Sequence, residues 1–228
     1  MRSEGGYTLV EMLVAISLST LLVLSIGDFA TNSVLGSNQD YNKTLVLTNS
    51  KEAVSIVARQ IRLARSVQST NAIEDANAPV GGWSGAAGTG KPLILAVPSH
   101  NAATNDVVYI DGFHQSVYTD EVIFYLDSTT HKLYKRTLAA TLPDGYTNAA
   151  VTTCPPASAT AGCPADSDVV DDVANLTTGY LTAGSTTPCT SCSPNNTEAV
   201  NYTVTETRTI NGKPYTGTYT TVAALRNR

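Results

Sequence analysis

The strongest constraint in this sequence is a long apolar run near its start, YTLVEMLVAISLSTLLVLSI at residues 7–26. As an α-helix rising 1.5 Å per residue, a segment of this length reaches about 30 Å, the thickness of a bilayer's hydrocarbon core. A helix also satisfies the backbone N–H and C=O groups of such a segment from within, which is what allows it to leave water. Glu11 breaks the pattern. A carboxylate inside a membrane span costs about 2.5–3.5 kcal/mol on insertion scales, so a residue kept there has a partner and a task. The only cation before Lys43, apart from the α-amine, is Arg2, and the sequence therefore predicts that the partner of Glu11 comes from another chain.

Charge sets the orientation. Arg2 and the amino terminus precede the run, whereas Asp28 and Asp40 are the first charges after it. The positive-inside rule then places the first residues in the cytoplasm and everything after the span outside it. A cleaved secretory signal fits poorly, because the apolar part is long, contains Glu11 and is not closed by an A-x-A site. With 228 residues, 42% of them hydrophobic, the chain has room for one modest domain beyond the span. A net charge of −5 argues against a broad basic face, and no direct nucleic-acid binding is predicted.

The string Gly6-Tyr7-Thr8-Leu9-Val10-Glu11-Met12-Leu13-Val14-Ala15 closely resembles the cleavage and methylation motif of type IV prepilins and type II secretion pseudopilins. The resemblance implies that a membrane prepilin peptidase cuts between Gly6 and Tyr7 and methylates the new Tyr7 amine. It also implies that Glu11 pairs with the Tyr7 amine of a neighbouring subunit, offsetting the burial of two charges and setting their axial register. The implied partners are that peptidase, other pilin or pseudopilin subunits, the inner-membrane assembly platform and the membrane itself. The chain departs from the usual pattern in having tyrosine rather than phenylalanine at position 7 and a leader with one basic residue.

After the span the sequence continues without proline to about residue 70. Val54, Val57, Ile61, Ala64 and Val67 recur at spacings of three and four, which predicts one apolar helix face, with Arg59, Arg62 and Arg65 largely off it as a solvated edge. Gly27 and Gly36 each lower helix propensity by about 1 kcal/mol and mark a place for bending or local melting. From residue 71 the texture changes. A Gly/Ala-rich loop leads to strand-like runs at 92–97, 106–113, 121–127, 132–138, 173–181, 199–210 and 215–228, with a turn at Asn211-Gly212. The expected fold class is α+β: a long N-terminal transmembrane and amphipathic helix packed on an antiparallel β-rich globular head, as in pilins. The expected organisation is a leader at 1–6, an assembly helix at 7–30, its amphipathic continuation at 31–70 and a head at 71–228.

An insert at about 145–198 carries all four cysteines, Cys154, Cys163, Cys189 and Cys192. Outside the cytoplasm they read as disulfides, with three pairings open; Cys154 to Cys163 with Cys189 to Cys192 is the locally simplest. A four-thiolate zinc site fits less well, since only one C-x-x-C knuckle is present, and no metal or other cofactor is predicted. The acidic cluster Asp166, Asp168, Asp171 and Asp172 lacks the glycine and terminal glutamate of an EF-hand loop and reads as solvated loop acids. Gly85 to Lys91 imitates a phosphate-binding loop, but Pro92 stands where Ser or Thr would meet magnesium. His100, His114 and His131 are scattered, with no nucleophile motif beside them, so no enzyme is predicted.

The order Q-I-R-L-A-R, Y-x-L-D then L-Y-K-R, V-A-N-L-T-x-x-Y-L and a terminal V-A-A-L-R-N-R is similar to the larger minor pilins, of the J-type pseudopilin and W-type minor pilin kind. That resemblance implies a non-catalytic subunit that helps initiate or cap a type IV pilus or type II secretion-like filament. Its location would be the inner membrane with the head outside the cytoplasm, then the filament at the cell surface or in the periplasm. A membrane-anchored extracellular binding or adhesion protein that does not polymerise is the competing expectation.

Overall fold

In a computed structural model of the chain, residues 8–110, 117–189 and 194–226 are described. Among these residues, helix α1 (Leu9–Leu63) is followed by nine strands: β1 (Ser66–Gln68), β2 (Gly88–Thr89), β3 (Leu93–Pro98), β4 (Thr119–Asp127), β5 (Lys132–Leu138), β6 (Ser167–Val170), β7 (Val173–Thr182), β8 (Thr197–Ile210) and β9 (Lys213–Ala224). The chain divides into two units, Met1–Thr44 and Leu45–Arg228.

In the first unit, residues 8–38 are exposed throughout, and an 18-residue window has a mean hydropathy of 2.3, enough for a membrane span. The hydroxyls within this stretch do not weaken it. Ser17, Ser19, Thr20 and Ser25 each donate to a carbonyl three or four residues earlier, so the polar groups are used on the helix itself. The helix runs through Gly27 and Gly36, where the sequence predicts bending or melting.

In the second unit all strand pairs are antiparallel and form two sheets, β1-β3-β4-β5-β6 and β2-β7-β8-β9. The α+β expectation holds. Helix residues Ala53, Val54, Val57 and Ile61 share one core with Leu93, Val122, Phe124 and Leu133 of the first sheet and Leu176, Val200, Tyr202 and Val204 of the second. The period-2 burial of β8 from Val200 to Glu206 shows how alternation selects the inward face. On the outward face, Thr89, Thr177, Thr203 and Thr220 form one rank across all four strands of the second sheet. Their hydroxyls pair, Thr89 with Thr177 and Thr203 with Thr220, each pair adding a few tenths of a kcal/mol or more.

Two hairpins follow the sequence closely. β4 and β5 pair through seven residue pairs, and His131 takes a positive φ of 55° in the connecting turn. β8 and β9 join at Asn211 and Gly212, whose φ values of 51° and 76° suit a two-residue hairpin turn. Elsewhere the structure departs from expectation. The helix ends at Leu63, and Val67, which the apolar spacing places on the helix, lies in β1 opposite Leu95. No glycine or proline stops the helix there. The Arg65 N–H donates to the Ala96 carbonyl at 2.8 Å, and sheet pairing takes the chain over. The strand expected at 106–113 reduces, among the described residues, to bridges at Val107 and Tyr109.

Glu206 lies inside the second unit, where its carboxylate accepts from Asn49 at 3.5 Å and from Ser50 at 3.4 Å. Burial pushes its pKa up, reinforced by Asp172 and opposed by those two hydrogen bonds and by Arg208. Between the ordinary value of 4.5 and the raised folded value, the native state holds a proton that the unfolded chain has lost. Stability therefore falls as pH rises through that window. Glu206→Gln is expected to raise the melting temperature at pH 7 and to match the wild type below pH 4.5; thermal melts across that range read the difference.

Candidate functional site

The first turn of α1 carries the chemistry that the sequence singles out. Thr8 stands immediately before the first helical residue, and Glu11 is the third residue of the helix. Glu11 Oε2 accepts the Thr8 backbone N–H at 2.9 Å and the Thr8 hydroxyl at 3.2 Å, while Thr8 Oγ1 accepts the Glu11 N–H at 3.3 Å. This reciprocal pairing is a capping box, which satisfies N–H groups that the start of a helix would otherwise leave unpaired. The carboxylate also lies at the positive end of the helix dipole.

Glu11 thus has hydrogen-bond partners within its own chain, in the pattern T-x-x-E ahead of an apolar run, and none of them is a cation. Both of those bonds fall on Oε2, and Oε1 accepts none among the described residues. Gly6 and Tyr7, the expected cleavage and methylation residues, lie outside the described residues.

In the head, Cys154 and Cys163 form a disulfide, which occupies two of the thiols that a four-thiolate metal site would need. Closing a loop of this length contributes roughly 2–3 kcal/mol through the unfolded chain. Cys189 is also disulfide-bonded, and Cys192 lies outside the described residues. Within the acidic cluster Asp166 departs from the expectation of solvated loop acids, whereas the side chains of Asp168, Asp171 and Asp172 stay 43%, 61% and 44% exposed. Asp166 is fully buried against Arg136, Asp168 sits in β6, and Lys132 bridges Asp168 at 2.7 Å and Asp171 at 2.6 Å. Asp172 faces Arg208 at 3.5 Å. Arg59 and Arg62 are exposed, His100 forms an isolated β-bridge with Val107, His131 lies in the β4–β5 turn, and His114 lies outside the described residues.

The buried centre of this second region is Arg136. Its guanidinium donates to Asp166 at 2.7 Å, to Asp75 at 2.8 Å and to the Asn77 carbonyl at 3.3 Å. It also lies 5.3 Å from the Trp83 ring centre and 5.4 Å from that of Tyr125. The Trp83 indole donates to Asp75, the Tyr125 hydroxyl to Asp166, and the Thr153 hydroxyl to Asp166. Burial alone would raise the pKa of Asp75, but hydrogen bonds from Trp83, Asn77 and Arg136, with the arginine's charge, bring it below the ordinary range. Burial likewise raises that of Tyr125, with the Asp166 carboxylate adding to the effect. The network ties the 69–84 loop and the disulfide loop to the sheet.

Residues 1–27 match the prokaryotic N-terminal methylation motif, the signal of type IV prepilins and pseudopilins. No curated protein and no solved structure matches the chain.

Proposed function

We propose that this chain is a minor pilin or pseudopilin, a non-catalytic subunit that helps initiate or cap a type IV pilus or a type II secretion-like filament. The methylation motif at residues 1–27 carries the reading, and a helix long and apolar enough to span a bilayer supports it. In this account a prepilin peptidase cuts after Gly6 and methylates Tyr7. Glu11 then pairs with the amine of a neighbouring subunit, and the exposed apolar helix moves from lipid to a filament core made of like helices. The β-rich head is displayed outside the cytoplasm.

The first turn also favours a second reading. Because Thr8 gives Glu11 local partners, the carboxylate has a use in a membrane-anchored binding protein that never polymerises. Sheared filaments from cells with and without the peptidase separate the two. The chain is expected in the filament fraction of the first and only in the membranes of the second. Confinement to the membrane fraction in both would overturn the filament reading.

A further inference from the structure

Among the described residues the two sheets end in four edge strands, and three of them are short. β1 spans three residues, β2 two and β6 four, the last with a shift in its pairing to β5. The fourth edge is β9, which runs twelve residues and pairs with β8 without a break in register. From Tyr215 to Ala224 it has no charge and no proline, and threonine and tyrosine fill most of it. Short strands, charges, prolines and bulges are what keep sheet edges from accepting further strands, and this edge lacks all four.

The backbone of β9 alternates between two sides. Leu225 continues the ladder by donating its N–H to the Glu198 carbonyl at 2.9 Å, while Thr207 of β8 donates to Asp172 on the side of β7. The odd-numbered residues of β9 therefore bond to β8. The N–H and C=O groups of Thr216, Thr218, Thr220, Val222 and Ala224 lie along the other side, where no strand among the described residues takes them up. They recur about every 6.8 Å, a repeat that another extended backbone matches and that a helix, bonded within itself, does not.

Charge narrows the occupant. A strand laid on Tyr215 to Ala224 meets no ion of opposite sign, so a charge of its own would lose water there without compensation. Uncharged β-branched residues suit the site, as β8 already shows. Thr216, Thr218 and Thr220 pair through their hydroxyls with Thr207, Thr205 and Thr203. Tyr219, 37% exposed on the inner face, gains cover from a further strand.

We propose that the free edge of β9 takes up an uncharged extended segment from the head of another filament subunit, adding a fifth strand to the second sheet. The inference rests on the filament reading for where the partner is found. Residue-resolved hydrogen exchange of the full chain, in detergent and in sheared filaments, tests it. In detergent the amides of Thr216, Thr218, Thr220 and Val222 are expected to exchange freely while those of Gly217, Tyr219 and Thr221 are slow. In filaments the first set is expected to slow by roughly a hundredfold or more. Thr218→Pro removes one outward N–H and spares the β8 ladder, and is expected to lower retention in filaments about five- to tenfold. A chain present in filaments whose even-numbered amides still exchange freely overturns this proposal alone. A chain confined to membranes overturns it together with the filament reading. Slow exchange already present in detergent and lost on dilution assigns the edge to a second copy and overturns it as well. So does a Thr218→Pro chain that melts like the wild type and is retained like it; where that variant does not fold, the exchange comparison in the wild type decides.

Discussion

Glu11→Gln is expected to lower incorporation of the chain into filaments by roughly a hundredfold, the effect of leaving a neighbour's buried amine without its carboxylate. Glutamine suits the third position of a capping box as glutamate does, so the helix start survives and only the charge is lost. Thr8→Val is the complementary change. It removes the side-chain cap, worth about 1 kcal/mol, and leaves the charge in place, so assembly should fall far less. Quantitative blots of sheared filaments against whole membranes measure both. If Glu11→Gln assembles like the wild type while Thr8→Val does not, the carboxylate serves the cap and the charge-pair account is wrong. The two roles are compatible, since the cap uses Oε2 and Oε1 accepts no hydrogen bond among the described residues.

The second large effect belongs to the head. Arg136→Ala would strand Asp75 and Asp166, both nearly without solvent exposure, and is expected to cost about 3–5 kcal/mol. For a domain of this size that corresponds to a fall in melting temperature on the order of 10 °C. Adding Asp166→Asn to Arg136→Ala should recover part of the loss, because the penalty lies in the uncompensated carboxylate rather than in a missing contact. Thermal unfolding of the full chain in detergent, followed through Trp83, provides the comparison. A change below about 1 kcal/mol for Arg136→Ala would mean that water reaches the site and that the network is not the anchor of the 69–84 loop.

The features visible in the sequence were those with short-range causes. Twenty apolar residues with one acid announce the span, alternating residues with an Asn-Gly turn announce the β8–β9 hairpin, and STTH between two strand-like runs announces β4–β5. Failures came where a distant partner decided the outcome. Val67 keeps helical spacing but lies in β1 because the segment pairs with β3. Asp166 looks like one acid in a loop of acids, yet the arginine that buries it lies 30 residues earlier. Trp83 sits in a Gly-rich loop with no periodicity, and only the fold brings it beside Arg136. The capping box has a short-range cause and is legible as Thr8 three residues before Glu11, although it supplies hydrogen bonds and no counter-charge.

Mass spectrometry of the amino-terminal peptide, from protein purified out of membranes of its own host, tests the central claim most directly. The account predicts a chain that begins at Tyr7 with a methylated amine, and the disappearance of that species when the prepilin peptidase is absent. A chain that retains Met1, or one cut beyond the apolar run, would contradict it.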